Sequence, residues 1–118
     1  MLSTDAAADW TLVGGVENVF SAYADAGTIR RHGNNADMWG IYDFNKADIS
    51  AGGHKHLSTK VLREYDCRDR RVRLLSYLDY SEPMGSGRVI DTNDDPRRWE
   101  AVVPGAVDEA FWKLACGT

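Results

Sequence analysis

Apolar and polar positions alternate along most of this chain, in short runs cut by glycine, asparagine and proline clusters, and that pattern predicts strands more often than helices. Residues 10–13 (Trp-Thr-Leu-Val) alternate and stop at Gly14-Gly15, a turn signal. A second strand spans 19–23 and ends at Asp25-Ala26-Gly27. Residues 28–31 form a short connecting piece before the turn cluster Gly33-Asn34-Asn35. Residues 37–43, with Met38, Trp39, Ile41 and Tyr42, have the aromatic and β-branched content of a third strand. Residues 45–53 are polar, close on paired glycines and predict a loop, and a long strand follows over about 54–65. After a charged bend, residues 71–80 give the clearest strand, with Val72, Leu74, Leu78 and Tyr80 on one face at period two. Residues 81–87 cannot continue it. Residues 88–90 form a short sixth strand, and Trp99 leads into Val102-Val103.

Pro104-Gly105 then breaks the chain, and the period changes. Val107, Phe111, Leu114 and Ala115 recur at helical spacing over 106–116, with Trp112 and Cys116 on a neighbouring face. Asp108 and Glu109 sit where carboxylates suit the positive end of the helix dipole, and Gly117 is a natural stop. The expected fold is α+β: an antiparallel sheet of about six strands with one C-terminal helix packed on one face. Residues 1–8 read as a flexible tail and 9–118 as a single domain.

Length and composition narrow the class. The chain has 118 residues, 43% hydrophobic and 27% charged, which describes an ordinary globule rather than a disordered segment. No apolar run approaches the roughly 20 residues of a membrane-spanning helix. A net charge of −4 disfavours general nucleic-acid binding, which needs a positive surface to displace counterions. The first nine residues have neither the basic nor the apolar region of a signal peptide. Either the protein stays in the cytosol or its export signal lies outside this chain, and the alanine-rich lead-in resembles the start of a mature exported protein.

Two cysteines, Cys67 and Cys116, lie 49 positions apart. Two unrelated thiols are the plain alternative to a disulfide. Neither belongs to a C-x-x-C pair, so a redox motif or zinc knuckle is disfavoured. Cys116 ends the predicted helix, where a staple would stop fraying, and Cys67 borders an exposed bend. These features favour a bond. Closing a loop of this length is worth about 4 kcal/mol through the unfolded chain, and such a bond persists in an oxidising compartment.

Several constellations are candidates for chemistry or binding. His54 and His56 form an H-x-H pair, which in a strand places both rings on one side about 6.7 Å apart at the backbone. Zinc would need two more ligands, which Asp43 or Asp48 would have to help supply, and the alternative is two exposed histidines at a strand edge. Arg68, Arg70, Arg71 and Arg73 form a basic cluster suited to an acidic partner such as a sulfated glycan, although Asp66 and Asp69 dilute it towards a solvated, ion-paired face. Among the aromatics, Trp39 and Trp112 are expected in the core, and Tyr77, across its strand from Leu78 and Tyr80, is the exposed one. No catalytic set emerges. Ser58 is near His56 in sequence, but that spacing alone does not make a triad. Gly85-Ser86-Gly87 lacks the lysine of a P-loop, and Asp94-Asp95 lies in a polar turn. Nothing calls for a cofactor.

Taken together, several pieces resemble one family. They are Trp10, Arg30-Arg31-His32-Gly33 before the strand with Trp39, Ser58-Thr59-Lys60, Glu64-Tyr65-Asp66-Cys67-Arg68, Met84-Gly85-Ser86-Gly87, Trp99, Val103-Pro104-Gly105 and Trp112…Cys116. Over about residues 9–116 they resemble the bacterial surface-adhesin protein E-like family. The specific part is Tyr-Asp-Cys combined with Pro-Gly…Trp-x-x-x-Cys. The resemblance implies a helix held across a curved sheet by a Cys67–Cys116 bond, and export to the periplasm or outer surface. It also implies non-enzymatic binding of host matrix or serum proteins, and a dimer. Two positions depart from the pattern: Ala106 stands where serine would open the helix, and His56 where an aromatic residue would precede Ser58 by two. The alternative function is a periplasmic small-ligand or metal-binding domain using the His54/His56 strand.

Overall fold

A computed structural model describes residues 9–118; the tail expected over 1–8 lies outside them. Among the described residues, seven strands and one α-helix follow in order, with a short 3-10 turn at Pro83–Gly85 after the fifth strand. They are β1 Thr11–Val16, β2 Phe20–His32, β3 Asn35–Ile49, β4 Lys55–Asp66, β5 Arg71–Tyr80, β6 Val89–Asn93, β7 Glu100–Ala101 and α1 Val107–Cys116. Each of β1 to β6 pairs antiparallel with the next. The outer edge of β5 is shared, by β6 along Tyr77–Tyr80 and by β7 at Arg71 and Val72. Tight turns make this possible. Gly33 takes φ +64° between β2 and β3, a conformation that suits glycine. At the β4–β5 corner the Asp66 carboxylate accepts the N–H groups of Arg68 and Asp69 at 3.0 and 2.9 Å, an Asx-type turn.

The helix lies on β1 to β4, and the sheet beneath it is built from small residues. Ala22 and Ala24 of β2, and Ala36 and Met38 of β3, are buried there with Tyr65 and Val72. Gly40 has a packing reason: a Cβ at this position would stand 2.8 Å from the Phe111 ring. Phe111 is fully buried, a contribution of roughly 1.5–3 kcal/mol by apolar burial alone. The C-terminal end of the helix is tied down repeatedly. Cys116 is bonded to Cys67, the Trp112 Nε1–H donates to the Asp66 carbonyl at 2.9 Å, and Arg31 donates to the Cys116 carbonyl at 3.0 Å. Gly117, at φ +75°, closes the helix in the left-handed conformation. On the opposite face, residues 82–87 fold over Ile41 and Ser58. The Ser58 hydroxyl donates to the Glu82 carbonyl and accepts the Gly85 N–H, at 2.7 and 2.8 Å. That buried hydroxyl fastens a loop.

The fold class, the helix and the disulfide agree with the sequence reading; several boundaries do not. Gly14-Gly15 lies inside β1 rather than after it, Trp10 precedes the strand, and residue 19 belongs to the turn. Residues 28–31 belong to β2, with 28 and 29 inside a register irregularity between Asp25 and Arg30, beyond which Arg30 to His32 pair again with β3. There the Asp25 carboxylate accepts the Gly27 N–H, and the Thr28 hydroxyl donates to the Asp25 carbonyl. Most of the predicted 45–53 loop is strand, since β3 runs to Ile49. The expected single face of β5 is also split. Register with β4 slips so that Arg63 opposes Leu74 while Leu62 opposes Ser76, leaving Leu75 as the extra residue. Val72 and Leu74 therefore face the helix side, and Leu78 and Tyr80 the other. Trp112 is core as expected, whereas Trp39 is only half-buried and carries the Lys60 ammonium 5.1 Å above its ring.

Candidate interaction surfaces

The predicted basic cluster sits at the β4–β5 corner, and three of its four arginines are paired. Arg70 bonds Glu109 at 2.7 Å and stacks on Trp112, 4.4 Å from the ring centroid. Arg71 bonds Asp66 at 2.7 Å, and Arg73 bonds Glu64 at 2.7 Å. Both lie over Trp99, at 5.1 and 4.8 Å. Arg68 is exposed with no ion pair among the described residues. The carboxylates respond to these partners. Asp66 is held below the usual range by the Asp69 N–H, Arg71 and the Arg68 N–H. Burial pushes Glu64 up, but Asn35 and Arg73 outweigh it and lower it overall. Much of the corner's positive charge is thus answered locally.

Tyr77 is not with these arginines. It opposes Val61 on the helix side of the sheet, half-buried, and its hydroxyl lies 3.4 Å from Asp91. It lines a hollow of about 350 Å³ with Tyr42, Phe44, His56, Thr59 and Asp79. The two predicted histidines also part company. His54 is exposed in the turn before β4, while His56 is buried edge-on against Phe44, with Nε2 3.5 Å from Asp79. Burial raises the Asp79 carboxyl, opposed by the Thr59 hydroxyl and His56.

The structure assembles a different histidine with carboxylates: ligand atoms of His32, Asp37 and Glu64 lie within 4.8 Å of one another. His32 already bonds Asp37 at 2.9 Å, and Glu64 is engaged by Arg73 and Asn35. Sequence reading missed this set because Glu64 arrives from a third strand. A two-residue turn at Gly33-Asn34 would have placed His32 near Asp37, but nothing local names their partner.

Among the described residues the sheet ends at β1, and this edge is apolar. Thr11–Val16 contains no charged residue and no proline, the usual devices that blunt an edge, although it carries a bulge between Leu12 and Gly14. Leu12 is 62% exposed, Val16 49% and the adjoining Val19 52%. No helix among the described residues is long and apolar enough to cross a membrane.

Comparison with known proteins converges on one group. The family described as Surface-adhesin protein E matches residues 10–117. Crystal form II of Haemophilus influenzae protein E superposes with TM-score 0.71 at 12% identity, covering 98% of this chain and 92% of that one. Protein E from non-typeable Haemophilus influenzae superposes with TM-score 0.66 at 13% identity, covering 98% and 80%. No curated protein sequence matches.

Proposed function

Because the chain belongs to the surface-adhesin protein E family, we propose that it is a non-enzymatic cell-envelope domain that captures a protein partner by its β1 edge. The observation that carries this is the uncharged Thr11–Val16 edge, terminal in the sheet among the described residues, with Leu12 and Val16 exposed. An extended segment of a partner can add to such an edge through main-chain hydrogen bonds, with flanking side chains giving selectivity. The partner class is a host matrix or serum protein displayed to the cell surface, or another envelope protein. A second copy using the same edge would make a homodimer. Family membership supports an adhesin-like, exported role, and the engagement of the Ser58 hydroxyl in loop packing supports a non-catalytic one.

The test compares the wild-type chain with the Leu12→Lys/Val16→Lys variant on immobilised matrix and serum proteins, with sedimentation equilibrium alongside. Charge on the edge should abolish capture, and any dimer, while the melting temperature stays near wild type. Capture that survives both substitutions would refute the edge as the binding surface. Protease shaving of intact source cells then decides the partner class: cleavage of the displayed domain supports a host protein, protection an envelope protein.

A further inference from the structure

A second site lies where the outer edge of β5 is left open between β6 and β7. Residues 94–99 cross this seam, anchored by the Arg97 N–H donating to the Leu74 carbonyl at 2.8 Å. Between them, β5 and the first turn of α1 is a concavity of about 400 Å³, within the usual size range of small-ligand pockets. Arg63, Arg73, Arg97, Arg98, Glu100 and Asp108 supply its charged lining.

What distinguishes this place is the state of its arginines. Arg63 projects from β4 on the helix side and is half-buried. It donates to the Tyr42 hydroxyl at 2.8 Å and lies over the Tyr42 and Phe111 rings, at 5.2 and 5.7 Å. It has no ion-pair partner among the described residues, and neither have Arg97 and Arg98. A guanidinium drawn partly out of water without a counter-charge is costly. With Arg73 answered by Glu64, three guanidiniums without an ion pair, Arg63, Arg97 and Arg98, meet two carboxylates, Glu100 and Asp108, in a chain whose net charge is −4.

We propose that this concavity binds an acidic glycan through one or two saccharide units that present two or more sulfate or carboxylate groups. The forked donors of Arg63, Arg97 and Arg98 match planar or tetrahedral oxyanions. The open shape and mostly polar lining suit a sugar. A long nucleic acid would meet the repulsion of an acidic surface outside the seam. This site is separate from the β1 edge, and its success or failure is independent of that reading.

The experiment is calorimetric titration of the full chain with a heparin-derived tetrasaccharide, its fully desulfated counterpart and inorganic sulfate, at several salt concentrations. The sulfated tetrasaccharide should bind, and the desulfated one should be weaker by at least about tenfold. Arg97→Gln/Arg98→Gln should weaken binding of the sulfated probe at least about tenfold and lower the salt slope by about 2, roughly one per lost arginine. Arg68→Gln, an exposed arginine outside the concavity, should bind as wild type. Absence of binding, equal binding by the double variant, or an equal loss in Arg68→Gln would each overturn the proposal. So would inorganic sulfate binding as tightly as the tetrasaccharide, which would leave a simple anion site.

Discussion

The arginines at the β4–β5 corner and those around the open seam of β5 are the same chemical group in opposite circumstances. At the corner, Arg70, Arg71 and Arg73 each meet a carboxylate at 2.7 Å and lie over a tryptophan ring. In the seam, Arg63, Arg97 and Arg98 have no such partner among the described residues. The corner is where the helix is fastened: Asp66 joins the turn, Arg71 and the Trp112 indole. Positive charge there serves the fold. Positive charge in the seam has no such duty, and this difference, rather than the number of arginines in a stretch of sequence, separates a structural cluster from a binding one.

The comparison can be broken by measuring stability. Cys67→Ser removes the corner's covalent tie and should have the largest effect, a loss of roughly 2–4 kcal/mol in denaturant unfolding. Asp66→Asn should follow, at about 1–3 kcal/mol, because a buried acceptor of two backbone N–H groups and one guanidinium is weakened. It also carries a pH signature. Asp66 is depressed in the folded state, so its contribution is full above the unfolded carboxyl value near about 4. That contribution is lost as pH falls through the lower folded value. Wild type should therefore lose stability on acidification more steeply than Asp66→Asn, as read by melting temperature from neutral pH downward. Arg71→Gln, whose side chain is partly exposed, should cost less, on the order of 0.5–1 kcal/mol. Arg97→Gln/Arg98→Gln should come last, within about 0.5 kcal/mol of wild type. A seam variant as destabilising as Arg71→Gln would show the two regions to be alike.

The sequence displays the corner better than the seam. Asp66, Cys67 and Trp112 announce themselves through turn chemistry and helical spacing, whereas the floor under the helix runs past the expected strand ends, since Ala24 and Ala36 lie outside 19–23 and 37–43. The end of β3 left no such mark. Residues 45–48 are exposed, and the strand resumes its pairing with β4 only at Asp48 and Ile49, past an irregularity that begins after Asp43, so no hydrophobic alternation records them. The extra residue at Leu75 is invisible for a related reason: a bulge changes phase without changing composition, and it carried Tyr77 to the helix side. Arg63, Arg97 and Arg98 meet across more than thirty positions, through a segment held to β5 by one backbone hydrogen bond. His56 and Asp79 are likewise joined by register, and nothing near either residue forecasts the other.

The placement of the two half-cystines also orders events in time. A chain that emerges N-terminus first presents Cys67 at the close of β4, 49 residues ahead of Cys116. By the time Cys116 follows, β1 to β6 have each met the strand before them and β7 has returned past β6 to β5, and pairings between neighbours form early because they close short loops. The bond is thus a late seal set on a completed meander, and the thiol of Cys67 must remain unspent through that interval. A chain halted before its last dozen residues would keep its hairpins and the small-residue floor meant for Phe111, open to water and with one reactive sulfur beside it.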